Sequence, residues 1–252
     1  MEIMKLPSKL GKEPLVDVIF ELRFTASIAA SDILPGALFS KLGGSSGLKV
    51  QRLPASQLPE VLRKSDPLLR YSPLLSMEWG DFNLLIGDGS IAIGCKLPYP
   101  GWSRFKPAIL EVVTAVMAIG IVQGVERYSL KYVDLVPALE LEAQVNALNW
   151  GLRIGTHQLK AEVAALRIEI SRNDFLHLIN VQTGAVASLN DGRTLSGLAL
   201  DVDTILRVST NDMVDFLRDL PDRLDALHTF NKAVFFECLT PETIQSLEPT
   251  YG

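Results

Sequence analysis

The run from Asn211 to Leu239, NDMVDFLRDLPDRLDALHTFNKAVFFECL, constrains this chain more than any other stretch. Its apolar residues Met213, Phe216, Leu217, Leu220, Leu224, Leu227, Val234 and Cys238 recur at the spacing of one helical face. The pattern predicts one long amphipathic helix, or two helices hinged at Pro221, and it carries no chemistry. A helix of that length needs a broad apolar surface to lie against.

Strand patterns elsewhere supply that surface. After a flexible start that ends at Pro14, Leu15 to Phe24 (LVDVIFELRF) alternates, with Val16, Val18, Phe20, Leu22 and Phe24 on one face. A short helix capped by Ser31 and a loop at Gly43 to Gly47 follow. Residues 49–53 read as a short strand and 54–73, with four prolines, as an irregular segment. Strands are then predicted over 74–79, 82–86 and 91–96, turning at Gly80-Asp81 and at Gly87-Asp88-Gly89. Ser103 is the expected cap of an apolar helix running to Val122. Further strands are expected over 126–135 and 198–208. Thr210 or Asn211 is the expected cap of the long helix, and Thr240-Pro241-Glu242 opens a short final one.

The two halves share a pattern. LSMEWGDFNLLIGDGSIAI and LRIEISRNDFLHLINVQTGAVA both set Glu before a turn, then Asp-Phe, a strand, a glycine and another strand. Hairpins resemble one another, so this reads either as coincidence or as a duplication. Both readings give an α+β fold of antiparallel sheet covered by long helices, since hairpins outnumber βαβ crossovers. It is either two similar sheet-plus-helix lobes, 1–124 and 125–252, or one continuous domain.

Composition narrows the function classes. Of 252 residues 48% are hydrophobic and 21% charged, which is globular rather than disordered. A net charge of −5 weighs against nucleic acid, and the small basic groups Arg63-Lys64-Arg70 and Arg104-Lys106 do not reverse that. Cys95 and Cys238 stand in no metal-binding spacing, and Cys238 falls on the apolar helix face. The N-terminus lacks a signal-peptide core, and the most apolar run, Ala108 to Val122, contains Glu111 and is too short to span a membrane. A cytoplasmic protein without membrane contact is the expectation.

Few residues suggest chemistry. Asp201 and Asp203 share a strand face and could serve a metal-dependent hydrolase or nuclease, although a solvated strand face explains them more simply. His157, His177 and His228 sit in no nucleophile context, and the glycine-rich loops do not join a strand to a helix as a phosphate loop would. No catalytic residue, metal ligand or cofactor is assigned. Glu21, Arg23, Lys131 and Asp134 are charges inside apolar strands, which must be paired or face water. They are the candidate ligand-binding residues of a polar pocket between sheet and long helix.

PLVDVIFELRF, RYSLKYVDLV and NKAVFFECLTPETIQSLEP are similar to a sporadically distributed bacterial family defined by sequence only. The resemblance runs end to end, rests on structural motifs and implies no catalytic residues. It implies a cytosolic prokaryotic protein, compatible with a mobile or defence-related gene island. The leading expectation is a non-enzymatic protein-interaction module, binding a protein partner or forming a homo-oligomer. The alternatives are a small-ligand binding or sensing domain and the metal-dependent enzyme.

Overall fold

A computed structural model describes residues 6–42, 49–188, 194–210 and 212–252. In chain order the elements are β1 (Lys9–Leu10), β2 (Leu15–Ala26), α1 (Ala30–Lys41), β3 (Val50–Arg52), a 3-10 turn (Pro54–Gln57) and α2 (Glu60–Ser65). There follow β4 (Leu75–Trp79), β5 (Phe82–Ile86), β6 (Ser90–Cys95), α3 (Trp102–Met117), β7 (Val122–Pro137) and α4 (Leu141–Asn146). The remainder is β8 (Arg153–Ile154), β9 (His157–Gln158), β10 (Ala165–Arg172), β11 (Phe175–Ser188), β12 (Thr194–Thr210), α5 (Met213–Cys238), α6 (Pro241–Ser246) and β13 (Pro249–Thr250).

The fold is α+β. Among the described residues, nine strands form one antiparallel sheet in the order β10-β11-β12-β7-β2-β6-β5-β4-β3. Hairpins build both ends of it. Trp79 faces Phe82 across Gly80-Asp81, where Gly80 holds φ +56, and Arg172 faces Phe175 across Asn173-Asp174, where Asn173 holds φ 54. Such left-handed positions suit glycine and asparagine and match the right-handed twist of the flanking strands.

The chain divides into two compact units. One comprises Met1–Asp17, Lys131–Thr204 and His228–Gly252, the other Val18–Leu130 and Ile205–Leu227. In the first, alternation turns Leu198, Leu200 and Val202 of β12 and Ile179 and Val181 of β11 into an apolar cluster with Val234, Phe235 and Phe236 of α5. In the second, Val18, Phe20, Leu22 and Phe24 of β2 are buried, as are Phe105, Ile109, Val112, Val113 and Val116 of α3. Phe82 stacks on Phe105 with ring centroids 5.9 Å apart, and Tyr128 meets Phe216 edge-on at 5.9 Å.

Several local expectations change. Over its described residues, 6–13, the start before Pro14 is not free chain, because Lys9 and Leu10 pair with Thr250 and Pro249. Ser31 does not cap α1; Ala29 holds the cap position and the Ser31 hydroxyl donates to Asp88 Oδ1 at 2.6 Å. Nor does Ser103 cap α3, which begins after Gly101 at φ +87. That helix ends at Met117 rather than Val122, with Gly120 at φ +79 beyond it and β7 already under way at Val122. α5 is continuous through Pro221. Its N-terminal amides at Val214 and Asp215 donate to Asp212 Oδ1, both at 3.0 Å, so Asp212 is the cap. The Gly43–Gly47 loop and Asn211 lie outside the described residues. Thr240 caps α6 as expected, its side chain accepting from Thr243 N–H.

Candidate functional site

The four charged residues singled out in the sequence fall into two settings. Glu21 and Arg23 touch directly: Arg23 Nε donates to Glu21 Oε2 at 2.8 Å, and Arg127 Nη2 reaches the same oxygen at 2.9 Å. The Arg23 guanidinium also lies 4.5 Å from the centre of the Tyr71 ring. The Tyr71 hydroxyl donates to Glu126, which pairs with Arg70 at 3.5 Å. Burial, then the Glu126 contact, raises the Tyr71 pKa. Each carboxylate here faces cations of its own, so the group reads as a mixed-charge network that ties residues 70–71 to β2 and β7.

Lys131 and Asp134 belong to a second group. Lys131 Nζ pairs with Asp201 Oδ2 at 2.8 Å, and Asn180 Nδ2 donates to that oxygen at 3.2 Å. Asp201 is therefore engaged, and among the described residues no cluster of three or more His, Cys, Asp or Glu could hold a metal ion. Asp134 is 6% exposed. Burial pushes its carboxyl pKa up to about 8, and the negative charges of Glu13 and Asp201 add to the rise. Its neutral form is the stable one in the fold near neutral pH.

A third place was not singled out in the sequence. A cavity of about 230 Å³ lies in the unit that holds β10 and β11. Its walls are Ile168, Ile170 and Arg172 of β10, His177, Ile179 and Val181 of β11, Val234, Glu237 and Cys238 of α5, and Leu148, Asn149 and Trp150. The register explains the sheet side: Ile168 faces Ile179, Ile170 faces His177 and Arg172 faces Phe175, so these side chains share one face. The last three wall residues are pinned to the end of α5. Asn149 N–H donates to Cys238 O at 2.8 Å, and Leu148 bridges to Leu239. The Trp150 indole N–H is spent on Val145 O at 3.0 Å, which leaves its ring as apolar wall.

His177 is the chemical feature of this cavity. The residue is fully buried, and burial, with the Arg172 charge as a second cause, lowers its pKa. The ring is therefore neutral near pH 7 and carries one proton. Nδ1 lies 3.0 Å from Thr204 Oγ1, which also accepts from Asn231 Nδ2 at 3.0 Å. Asn231 spends its other amide proton on Val202 O at 2.8 Å. The Thr204 hydroxyl proton then has the imidazole as its acceptor, since a buried hydroxyl left without one costs about 1–3 kcal/mol. Nδ1 accepts, so the ring proton sits on Nε2. That atom is sealed from solvent and has no hydrogen-bond partner among the described residues. At the cavity's edge Arg172 Nη1 donates to both carboxylate oxygens of Glu237, at 3.0 and 2.8 Å. Burial pushes the Cys238 thiol up to about 11, which leaves it protonated and a poor nucleophile.

His177, Thr204 and Asn231 carried a legible signal. Each is the polar residue at an inward position of an apolar pattern: Phe175-His177-Ile179-Val181, Leu198-Leu200-Val202-Thr204, and Leu224-Leu227-Asn231-Val234. Neither a scan of protein-family models nor a search of curated proteins returns a match to this chain. Among the described residues, no helix is long and apolar enough to cross a membrane.

Proposed function

We propose that this protein binds a small, largely apolar ligand that carries one hydrogen-bond acceptor, in the cavity bordered by His177. The observation that carries the reading is a buried His177 Nε2 without a partner among the described residues, beside a cavity whose walls are mostly apolar. A buried donor left unpaired costs about 1–3 kcal/mol, and a ligand oxygen that reaches it recovers that cost. Reaching it requires the walls to part enough to admit one atom. The volume, about 230 Å³, falls below the ~300–1,000 Å³ of drug-sized sites and suits a small molecule. The Arg172–Glu237 pair at the edge is neutral overall, which favours an uncharged carbonyl over a free carboxylate.

The frame we adopt with this reading is a sheet covered by long helices, in a cytosolic prokaryotic protein related to the sporadically distributed family that its ends resemble. The protein-interaction reading stands beside it and is supported by the two strands, β10 and β3, that end the nine-stranded sheet.

The test is a panel of small amides, ketones and esters with apolar bodies, screened by ligand-observed NMR. Binding is expected to be lost in Cys238→Phe, which fills the cavity, and weakened in His177→Phe, which removes the donor. A panel in which nothing binds, or a ligand indifferent to both substitutions, overturns the reading.

A further inference from the structure

We propose that two copies of this chain associate edge to edge through β10, antiparallel, in a register centred on Ile168. β10 ends the sheet. On its inner side Thr183 N–H donates to Ala164 O at 3.0 Å, and the register carries on to Arg172 opposite Phe175. Main-chain groups alternate sides along a strand. Leu166, Ile168, Ile170 and Arg172 therefore turn theirs to β11, while Ala165, Arg167, Glu169 and Ser171 point theirs away from the sheet. Such a row is a template for another strand.

Symmetry then selects the register. A second antiparallel copy must set outward-pointing residues against outward-pointing residues, so the two-fold axis passes through a residue. Centred on Arg167 it opposes two arginines, and centred on Glu169 two glutamates. Centred on Ile168 it sets Arg167 against Glu169 of the partner subunit twice over. The same centre places Ile168 against the partner's Ile168, and Leu166 against the partner's Ile170, as close non-hydrogen-bonded pairs. Centres nearer the strand ends pair fewer residues. The occupant is thus a second copy, because the strand's charges and apolar side chains complement themselves.

Two further observations fit. Ile168 and Ile170 are 40% and 38% exposed, an uncovered apolar stretch on a sheet edge. Arg167 and Glu169 already pair within the strand at 3.2 Å with both side chains mostly in solvent, and so weak a contact is readily exchanged for one across an interface.

Sedimentation velocity on the full chain at micromolar concentration is expected to give a dimer. Arg167→Glu opposes like charges in both symmetric pairs and weakens the dimer by about tenfold or more. The doubly reversed Arg167→Glu/Glu169→Arg chain restores it. Ile168→Cys, in a Cys238→Ala background, gives a disulfide-linked dimer on mild oxidation, because the two cysteines meet at the axis. A monomeric wild type, a dimer indifferent to Arg167→Glu, a reversed pair that fails to restore association, or a cysteine variant that stays uncrosslinked each overturns the proposal.

Discussion

His177 Nδ1 and Thr204 Oγ1 lie 3.0 Å apart on neighbouring strands, both residues wholly buried. The contact fixes which imidazole nitrogen carries the proton, and Asn231 on α5 completes it by donating to the same hydroxyl. Thr204→Val keeps the shape and deletes the hydroxyl, removing its bonds to His177 Nδ1 and to the Asn231 amide. Urea unfolding should show a loss of about 1–3 kcal/mol. Nitrogen NMR of the imidazole should lose its single Nε2–H signature and report a tautomer mixture.

Asp134 sets a pH dependence. Its carboxyl pKa is about 8 in the fold against 3.8 without the burial. Between those values the unfolded chain releases a proton that the folded chain keeps, so stability falls as pH rises. The slope approaches about 1.4 kcal/mol per pH unit and levels off above the folded pKa. Asp134→Asn removes the titrating group while keeping the shape. Thermal melts at pH 5 and pH 8 should differ less in this variant than in the wild type, and the variant should be the more stable of the two at pH 8.

Asp88 holds a segment in place. It accepts from Ser31 Oγ at 2.6 Å and from Arg63 Nη2 at 3.0 Å, with both ends of the ion pair largely shielded from water. Removing one partner of such a pair strands the other charge, so Asp88→Ala should cost about 2–4 kcal/mol. Limited proteolysis should then cut within residues 54–70 before the rest of the chain.

Two glycines should answer an added methyl group in opposite ways. A Cβ at Gly197 would sit 2.2 Å from Val136 O, a backbone atom that cannot swing aside. Gly197→Ala should therefore destabilise the fold by more than 2 kcal/mol, on the order of the penalty for an overpacked core. A Cβ at Gly36, inside α1, meets nothing within 4 Å among the described residues. Gly36→Ala should stabilise by about 0.5–1 kcal/mol, since alanine loses less backbone freedom on entering a helix. Denaturant midpoints of the two variants, read against the wild type, check both signs.

The contrast between what was legible in the residues and what was not follows a physical line. The alternation Val18-Phe20-Leu22-Phe24 and the stripe Phe216-Leu220-Leu224-Leu227 were readable because burial repeats with the geometry of the element, and these residues are buried. His177, which borders the cavity, and Thr204 and Asn231 behind it broke patterns of the same kind, but a polar residue at one apolar position reads as tolerance until its partners are seen on other elements. Ser31 and Ser103 looked like helix caps because serine favours that role. Tertiary context overrode the preference at Ser31, where Asp88 supplies a better acceptor. Of the four charges picked from strand patterns, Glu21 and Arg23 lie two residues apart on β2, so the pleat alone puts them on one face within reach of each other. Lys131 takes Asp201 instead, a pairing that depends on how strands distant in sequence line up.

The division of the chain has a bearing on its synthesis. Each compact unit draws on residues after Thr204: one needs Ile205–Leu227, the other His228–Gly252. A ribosome delivers those residues after every other strand and helix of both units has emerged. Neither unit can close while translation is still short of them, and their apolar faces stay bare in the meantime. The nascent chain is therefore exposed to misassembly for most of its passage, and slowing elongation early should help it less than keeping its strands apart until α5 arrives.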